Sequence, residues 1–408
     1  MRLFLRSLVV PALACALFAA APAAAPAATG MRDVLVVSNN WAGTADLVDP
    51  HSFRRLARIN VVPDLEARLA EIEANPGWKA VFDGIRVLVG EGHDQYVDDG
   101  FSSRDGRFLF FSRPSLADVV AIDLRTRRIA WRVKVDGFRA DHMAISPDGR
   151  RLLVSASTAR TVDVIDTRRG EIVARFPSGD QPHENNYSRD GRLIFHASIG
   201  PVYTDTDDPS EDATKGERIF EILDARTLRV RRRFSFGDAL AAYGVGTSSA
   251  VRPMAISPDE RYVYVQLSFL HGFVEYDLRA GRPTRLALLP LSPRAQELPR
   301  QDYLLDSAHH GLTFNPRGTK LCVAATMSDY AAIVSRRTLR VQRTVAVGRT
   351  PYWATPSEDG RYCFVSISGD DRVSVISFRT GREVARIRVG DHPQRMRTGA
   401  VRGALLRN

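Results

Sequence analysis

The sequence predicts an all-β protein, a seven-bladed β-propeller of four-stranded antiparallel blades. Three observations predict this fold: a turn phrase that recurs six times, short alternating strands between the turns, and chain ends that share one further blade. The chain of 408 residues exceeds the usual size of one hydrophobic core, which indicates either two domains or one repeat architecture. The recurring turns favour the repeat architecture.

The first 29 residues are predicted to be a cleavable signal peptide rather than part of the fold. Arg2 and Arg6 give a basic beginning, an apolar run follows at 8–20, and small residues suited to cleavage come next. The apolar run is short for a membrane span. Cys15 resembles a lipoprotein cleavage site only weakly, so a lipoprotein is the minor alternative. We therefore expect a periplasmic or secreted protein with no transmembrane span in its mature chain.

Tight turns mark six blades of the predicted propeller. Most begin with Ser and have Asp and Gly at the third and fourth positions. Asp bonds to nearby backbone and Gly accepts a positive φ, so each phrase forms a tight turn. Four short strands accompany each turn, at a period of about 42 to 45 residues. The turns occupy residues 103–106, 146–149, 188–191, 257–260, 315–318 and 357–360.

The seventh blade is predicted to be divided between the two ends of the chain. Residues 31–62 supply three strands, and residues 390–397 resemble a first strand that no further blade follows. Pairing these segments closes the ring and hides two sheet edges. The propeller is therefore predicted to span residues 31–400, with a short basic tail at 401–408.

Insertions interrupt the repeat at residues 63–96, 200–216 and 286–308. The first contains 65–73, which has the pattern of a short amphipathic helix. The second contains the acidic stretch 205–212, which is more typical of a solvated loop than of a calcium site because it lacks EF-hand spacing. Long loops in compact domains are often functional or mobile.

Two stretches of the chain resemble the YVTN repeat of bacterial β-propellers. They are residues 154–167 and 365–376, and each leads to a Gly-x-x-Pro step, at 179–182 and 390–393. The resemblance covers nearly all of residues 31–400 and implies the propeller fold. Propellers that are similar at this distance include surface-layer proteins, haem-d1-type propellers, and lactonases or lyases. The resemblance therefore leaves the function open.

Candidate site residues lie where the innermost strands of the blades are predicted to begin, because propeller ligands usually bind over the central channel. Aligning the repeats on their turns gives a pair of residues for each blade. The pairs are Asp98 and Asp99, Asp141 and His142, His183 and Glu184, Arg252 and Pro253, His310 and Gly311, Tyr352 and Trp353, and Gln394 and Arg395, with His309 and His392 beside them. Five of the 9 histidines fall in this set, which indicates a site rather than a random surface.

The chemistry of this set suits a ligand at the axial mouth. Converging imidazoles and carboxylates could bind a divalent metal, for which His142, His183 and His310 are the candidates, or transfer protons near neutral pH. The aromatic residues could stack on a ligand, and the arginines could bind a carboxylate or phosphate. Alternatively, these histidines bond to the backbone of a neighbouring blade and have only a structural role. The full candidate set is Asp98, Asp141, His142, His183, Glu184, Arg252, His309, His310, Tyr352, Trp353, His392 and Arg395.

The other histidines are expected to lie outside the site. His196 falls within a predicted strand, where a satisfied core histidine is expected. His271 lies in a loop with no obvious partner, and His51 and His93 are expected to be exposed.

Cys322 and Cys363 fall on the second strands of neighbouring repeats. Packed sheets lie about 10 Å apart, whereas a disulfide needs Cα atoms within about 7 Å. Two buried free thiols are therefore favoured over a disulfide.

Motifs and charge exclude several functions and leave three. The sequence contains no Cys-x-x-Cys-His, Gly-x-Ser-x-Gly, P-loop or His-Glu-x-x-His motif. Its net charge of +10 is not accompanied by a basic and aromatic nucleic-acid module. We retain an exported, monomeric propeller that binds a small molecule, a metal or an envelope protein at its axial mouth. The alternatives, implied by the resemblance, are a metal-dependent lactonase- or lyase-like enzyme and a non-covalent haem-d1-like cofactor binder.

Overall fold

The structure is a computed structural model, and it describes residues 30–201, 214–234, 239–241, 251–303 and 307–406. The predicted signal peptide and the acidic stretch 205–212 lie outside these residues. Within the described ranges, no helix is long and apolar enough to cross a membrane.

The described residues form seven four-stranded antiparallel sheets, which confirms the predicted propeller. The first three strands, β1 (Met31–Asn39), β2 (Thr44–Val48) and β3 (Arg55–Asn60), belong to the blade that closes the ring, here called the closing blade. Blades 1 to 3 are β4 (Gly100–Ser102), β5 (Phe108–Arg113), β6 (Asp118–Asp123) and β7 (Arg128–Lys134); β8 (Ala140–Ile145), β9 (Arg151–Ala156), β10 (Thr161–Asp166) and β11 (Glu171–Pro177); and β12 (Pro182–Tyr187), β13 (Leu193–Ser198), β14 (Phe220–Asp224) and β15 (Val230–Phe234).

Blades 4 to 6 repeat the same order, in which the first strand of each blade is innermost. They are β16 (Val251–Ile256), β17 (Tyr262–Leu267), β18 (Gly272–Asp277) and β19 (Arg282–Leu288); β20 (Gly311–Phe314), β21 (Lys320–Ala325), β22 (Tyr330–Ser335) and β23 (Val341–Ala346); and β24 (Pro351–Pro356), β25 (Tyr362–Ile367), β26 (Arg372–Ser377) and β27 (Glu383–Arg388). The last strand, β28 (Pro393–Arg402), returns to the closing blade.

The ring is closed by pairing between the two chain ends, as the sequence predicts. Strand β28 runs antiparallel to β1, in a register that begins at Arg402 opposite Met31 and ends at Pro393 opposite Asn39. The strand therefore continues beyond residue 397, and a short 3-10 turn, Gly403–Leu406, follows it. This pairing covers the inner edge of β1, and β28 becomes the innermost strand of the closing blade.

The recurring turns are stabilised by their own side chains. In the turn at 146–149, Ser146 Oγ donates to Asp148 Oδ1 at 2.6 Å and accepts from the backbone N–H of Arg151 at 3.0 Å. Gly149 completes the turn with a φ of +72°. Strands in the middle of a blade are buried on both faces, as β6 is, whereas outermost strands such as β11 alternate between exposed and partly covered residues.

The first insertion contains two helices rather than the single helix that the sequence pattern predicts. Helix α1 (Leu65–Glu73) matches the prediction. A second helix, α2 (Pro76–Leu88), follows it, begins with the Asn75 side chain accepting from the N–H of Trp78, and has Pro76 at its first position. Buried side chains of both helices pack on blades 1 and 2. The third insertion forms a short helix, α3 (Pro293–Glu297).

A disulfide joins Cys322 in blade 5 to Cys363 in blade 6, so the expectation of two free thiols is wrong. The two Cα atoms are 6.5 Å apart. Both residues lie on the second strand from the axis, where blades converge, and the buried residues beside them include Ala324, Ala331 and Ala354. The average spacing of packed sheets therefore overestimates the distance between blades at this position.

Candidate ligand site at the axial mouth

β-Bulges at the beginning of the inner strands shape the site. In blade 2, Ala140 pairs with Ala156 and Met143 pairs with Val154. Two residues on β8 therefore lie between these pairs, opposite a single residue on β9. The same shift occurs at the starts of β12, β16, β24 and β28. A bulge breaks the alternation of side chains and re-aims them. The two residues inside each bulge are the pairs that the sequence alignment selected in these five blades.

A cavity of about 430 Å³ lies over the beginning of the inner strands, and we call it the axial cavity. The first residue of each bulge lines it, as do single residues that precede β4 and β20. Among the predicted site residues, those that line it are Asp98, Asp141, His142, His183, Arg252, His310 and Tyr352. Gln394, the first residue of the closing-blade bulge, lines it as well.

Helix α2 covers this cavity with an apolar face. Ala80, Val81, Gly84, Ile85 and Leu88 line the cavity, and because they follow the pattern i, i+1, i+4, i+5 and i+8 they lie on one side of the helix. This contribution was missing from the sequence prediction. Two signals could have revealed it: Asn followed by Pro at residues 75–76, and the recurrence of apolar residues from Trp78 onward.

Three buried imidazoles lie side by side on the floor of the axial cavity. The ring centroids of His142 and His183 are 3.9 Å apart, and those of His183 and His310 are 6.5 Å apart. His310 stacks on Tyr352 at 3.9 Å. Burial lowers the pKa of all three imidazoles well below 6.5, and the positive charge of Arg395 adds to this for His142 and His310. The imidazoles are therefore neutral and able to donate lone pairs at pH 7.

Two aspartates lie beside this group in different environments. Burial raises the pKa of Asp98 to about 8, although the nearby guanidinium of Arg395 opposes the shift. Asp141 accepts a hydrogen bond from Ser157 Oγ at Oδ2, at 2.9 Å, and its Oδ1 lies 3.4 Å from His142 Nε2. Arg139, one residue before β8, adds a cation 3.6 Å from Asp141. Both Arg139 and Ser157 were missed, although Arg139 lies only two positions upstream of the aligned pair.

Arg395 lies below the axial cavity and is fully buried. Its Nη2 is 2.9 Å from Glu184 Oε2, its Nε is 3.5 Å from Asp98 Oδ2 and its Nη1 is 3.7 Å from Asp99 Oδ2. The guanidinium stacks over Trp353 with its Cζ 3.9 Å from the ring centroid. The second cation of this network, Arg397, binds Asp99 in a bidentate manner at 2.7 and 2.8 Å.

This network separates the axial cavity from a second cavity at the other end of the channel. The second cavity has a volume of about 550 Å³ and includes Glu184, Trp353 and Arg397 in its lining. Since Arg395 contacts His142 above and Glu184 below, its guanidinium lies between the two cavities. The candidate residues Glu184, Trp353 and Arg395 therefore close the channel rather than line the axial cavity.

Two other candidates lie away from the axial cavity. His309 is buried beside His271 and Tyr330, with ring centroids 5.7 and 6.5 Å away. His392 stacks on Trp41 at 3.7 Å, and the opposite face of Trp41 stacks on His93 at 3.8 Å. His392 thus joins the last inner strand to the end of the first insertion.

The remaining histidines match their expected positions with one exception. His196 is buried and bonds to Ser178 at 2.7 Å and Asn185 at 2.9 Å, as expected of a core histidine. His51 and His93 are exposed. His271 was expected to have no partner, but its Nε2 lies 2.8 Å from the Tyr303 hydroxyl, which the third insertion supplies.

Comparisons with known proteins support the fold and leave the family open. No protein-family model matches the chain, and no curated protein matches it. A solved structure of Kuenenia stuttgartiensis hydrazine synthase matches with a TM-score of 0.55 and 17% identity, over 72% of this chain and 86% of that chain. Dihydro-heme d1 dehydrogenase NirN in complex with DHE matches with a TM-score of 0.52 and 13% identity, over 91% and 76% of the respective chains. At these identities the likeness shows a shared propeller fold.

Proposed function

We propose that this chain is an exported β-propeller of the YVTN type that binds a small molecule in the axial cavity. The ligand has an apolar body, which contacts helix α2, and a polar group with oxygen acceptors, which contacts the floor. One observation carries the proposal: an apolar helix covers a floor of buried polar atoms that have no hydrogen-bond partner in the described part of the chain.

The polar atoms on the floor favour an acceptor as the ligand's polar group. Gln394 is only 2% exposed, and its Nε2 donor has no hydrogen-bond partner among the described residues. Nδ1 of His183 and of His310 likewise has no partner there, and each can donate or accept a hydrogen bond according to the tautomer. A buried polar atom without a partner costs about 1 to 3 kcal/mol, so several of them beside one cavity favour a bound partner. Arg252, whose Nε donates to Ser268 Oγ at 3.0 Å, adds a positive charge to the lining.

The dimensions of the cavity also suit a small molecule. Its volume of about 430 Å³ falls within the range of ordinary ligand pockets, roughly 300 to 1,000 Å³. The wall combines apolar and polar groups, as the walls of ligand pockets usually do. The α2 side chains are aliphatic, and the polar groups converge on the opposite side.

Two features support export as part of the proposal. The first 29 residues have the composition of a signal peptide. The disulfide between Cys322 and Cys363 is of a kind that persists in oxidising compartments and is rare in the cytosol of most organisms.

A metal-dependent enzyme is the second candidate function, and one observation favours it. Asp141, His142 and His183 each offer one ligand atom, and these atoms lie within 4.8 Å of one another. The haem-d1-like alternative is weaker for this chain because its axial imidazoles lie among carboxyl groups and arginines rather than in an apolar pocket.

A pair of glycine substitutions in helix α2 tests ligand binding. A Cβ atom added at Gly84, which lines the cavity, meets no atom within 4 Å, so Gly84→Leu is expected to fill the cavity without disturbing the helix. Gly77→Leu is the matched control, because Gly77 lies on the same helix but is exposed and does not line the cavity. Native mass spectrometry of protein purified from the envelope of its host should show a bound small molecule in the wild type and Gly77→Leu, but not in Gly84→Leu. A wild type without bound mass, or equal occupancy in both variants, would refute the proposal.

A further inference from the structure

We propose that Asp141, His142 and His183 bind one divalent transition-metal ion of the zinc type on the floor of the axial cavity. The inference rests on the proposed function and deepens it, since the ion lies where the oxygen group of the ligand is expected. Imidazole nitrogens and one carboxylate oxygen are ligands that zinc prefers. Three protein ligands leave a coordination position for water or for the bound molecule.

The fold brings the three residues together by means of two bulges. Asp141 and His142 are consecutive, and consecutive residues of a regular strand point to opposite faces. The bulge between Ala140 and Met143 removes this restriction, so both side chains line the cavity. His183 lies inside the equivalent bulge of the neighbouring blade, between Pro182 and Asn185.

The distances fit tetrahedral coordination. Metal–ligand bonds of about 2.0 to 2.2 Å in a tetrahedron place two ligand atoms about 3.3 to 3.6 Å apart. Asp141 Oδ1 and His142 Nε2 are 3.4 Å apart, and the three ligand atoms all lie within 4.8 Å of one another. A side-chain adjustment of about 1 Å is therefore sufficient to complete the site.

Neighbouring residues orient two of the ligands as a metal site requires. Glu184 Oε2 lies 3.2 Å from His142 Nδ1 and can accept its N–H, which leaves the lone pair on Nε2, the nitrogen that faces Asp141. Ser157 donates to the other oxygen of Asp141 and leaves Oδ1 available. Glu184 and Ser157 are therefore positioning residues rather than ligands.

Two further observations bear on the ion itself. His183 is 5% exposed, and its Nδ1 has no hydrogen-bond partner within the described ranges, so the imidazole lacks a structural partner there. Arg395 Nη2 contacts both ring nitrogens of His142, Nδ1 as well as Nε2 at 2.8 Å, and acts as a competing cation. Its other partners, Glu184, Asp98 and Asp99, lie within 3.7 Å and retain the guanidinium when an ion displaces it from the imidazole.

The donor set differs from the metal candidates that the sequence offered. His310 was a candidate, but its ring stacks on Tyr352 and it does not belong to the group of ligand atoms that lie close together. Asp141 takes its place. A variant of His310 therefore discriminates between the two assignments.

Zinc binding to the purified protein tests the site. After treatment with a chelator and its removal, titration with ZnCl₂ and elemental analysis should give one ion per chain. Asp141→Asn and His183→Gln should weaken binding at least tenfold, and Glu184→Gln should weaken it about 10- to 100-fold with unchanged stoichiometry. His310→Gln should retain the stoichiometry, as should His51→Gln, which removes an exposed imidazole outside the cavity. Co²⁺ substitution should give the visible absorption of a tetrahedral site.

The possible outcomes separate this inference from the proposed function. Absence of stoichiometric zinc in the wild type, or equal loss in His310→Gln and His183→Gln, overturns the metal site. The melting temperature of each metal-free variant identifies any loss that is due to unfolding, and Glu184→Gln provides a second test if a ligand variant does not fold. If the protein binds no zinc but does bind a small molecule that Gly84→Leu excludes, the metal site is refuted and the proposed ligand cavity is retained.

Discussion

Replacing Arg395 by methionine tests the role of the buried network beneath the axial cavity. Methionine keeps much of the volume and the contact with Trp353 but removes the charge. The substitution leaves Glu184 without its 2.9 Å partner in a fully buried position. Asp99 retains the bidentate contact with Arg397, and Asp98, whose pKa is raised to about 8 by burial, is already able to hold a proton at pH 7. The main cost is therefore the uncompensated carboxylate of Glu184.

The magnitude follows from the cost of neutralising that carboxylate. Removing one partner of a buried ion pair usually costs about 3 to 5 kcal/mol. Keeping a glutamate of ordinary pKa, about 4.3, protonated costs about 1.4 kcal/mol per pH unit above that value. This gives an upper limit of about 3.7 kcal/mol at pH 7 and about 1 kcal/mol at pH 5. Arg395→Met should therefore lose about 3 kcal/mol of unfolding free energy at pH 7 and much less at pH 5.

Chemical unfolding followed by tryptophan fluorescence gives the unfolding free energy at pH 7 and pH 5. A chelator is present throughout so that only the metal-free protein is measured. Arg397→Met is the control, because its side chain is 20% exposed and Asp99 keeps Arg395 at 3.7 Å; it should cost about 2 kcal/mol or less. The double variant with Glu184→Gln should recover most of the loss. A loss below about 1 kcal/mol at pH 7, or an equal loss at both pH values, would refute the reasoning.

Two further predictions concern stability. Reduction of the disulfide, or the double substitution Cys322→Ala and Cys363→Ala, should lower the unfolding free energy by about 4 kcal/mol, because the bond closes a loop with a sequence separation of 41 residues. Thiol titration of the unreduced protein should detect neither cysteine. Reactive thiols at these positions would contradict the bond. Burial lowers the pKa of His196 to about 3. Below pH 6.5 this imidazole therefore binds a proton in the unfolded chain but not in the folded protein. As a result, the stability of the fold decreases as the pH falls from 6.5 towards 3. His196→Asn should reduce the stability difference between pH 7 and pH 5 by about 2 kcal/mol in urea titrations, and an unchanged difference would contradict this assignment.

The architecture could be predicted from the sequence because its determinants are local. Each turn depends on a few adjacent residues, such as Ser146, Asp148 and Gly149, whose hydrogen bonds and φ are visible in the motif itself. Closure of the ring could be predicted because residues 31–62 lack the first strand of a blade and residues 390–397 resemble one. The structure pairs these two segments through β1 and β28. Features of this type need no knowledge of distances between blades.

The errors arose where distances between elements decide the outcome. The cysteines were expected to remain free because an average sheet spacing was applied to strands near the axis, where the Cα atoms are only 6.5 Å apart. Helix α2 was missed because the repeat gives no information about an inserted segment. The sequence placed Asp141 and His142 in one axial set, but it could not show the bulge that brings both side chains to the same cavity.

The bulges explain why one repeat can produce an unequal ring of side chains. In five blades the extra residue occurs at the same place, at the start of the inner strand, so two consecutive positions are freed from pairing. In these blades the first position lines the axial cavity, as His183 and Tyr352 do, whereas the second reaches the channel below in Glu184, Trp353 and Arg395. Residues at the first position, together with His142 at the second, can therefore determine what the cavity binds, while Glu184, Trp353 and Arg395 at the second position hold the channel closed. Substitutions at the first position should change ligand preference with little change in stability, whereas substitution of Trp353 or Arg395 at the second should mainly change stability.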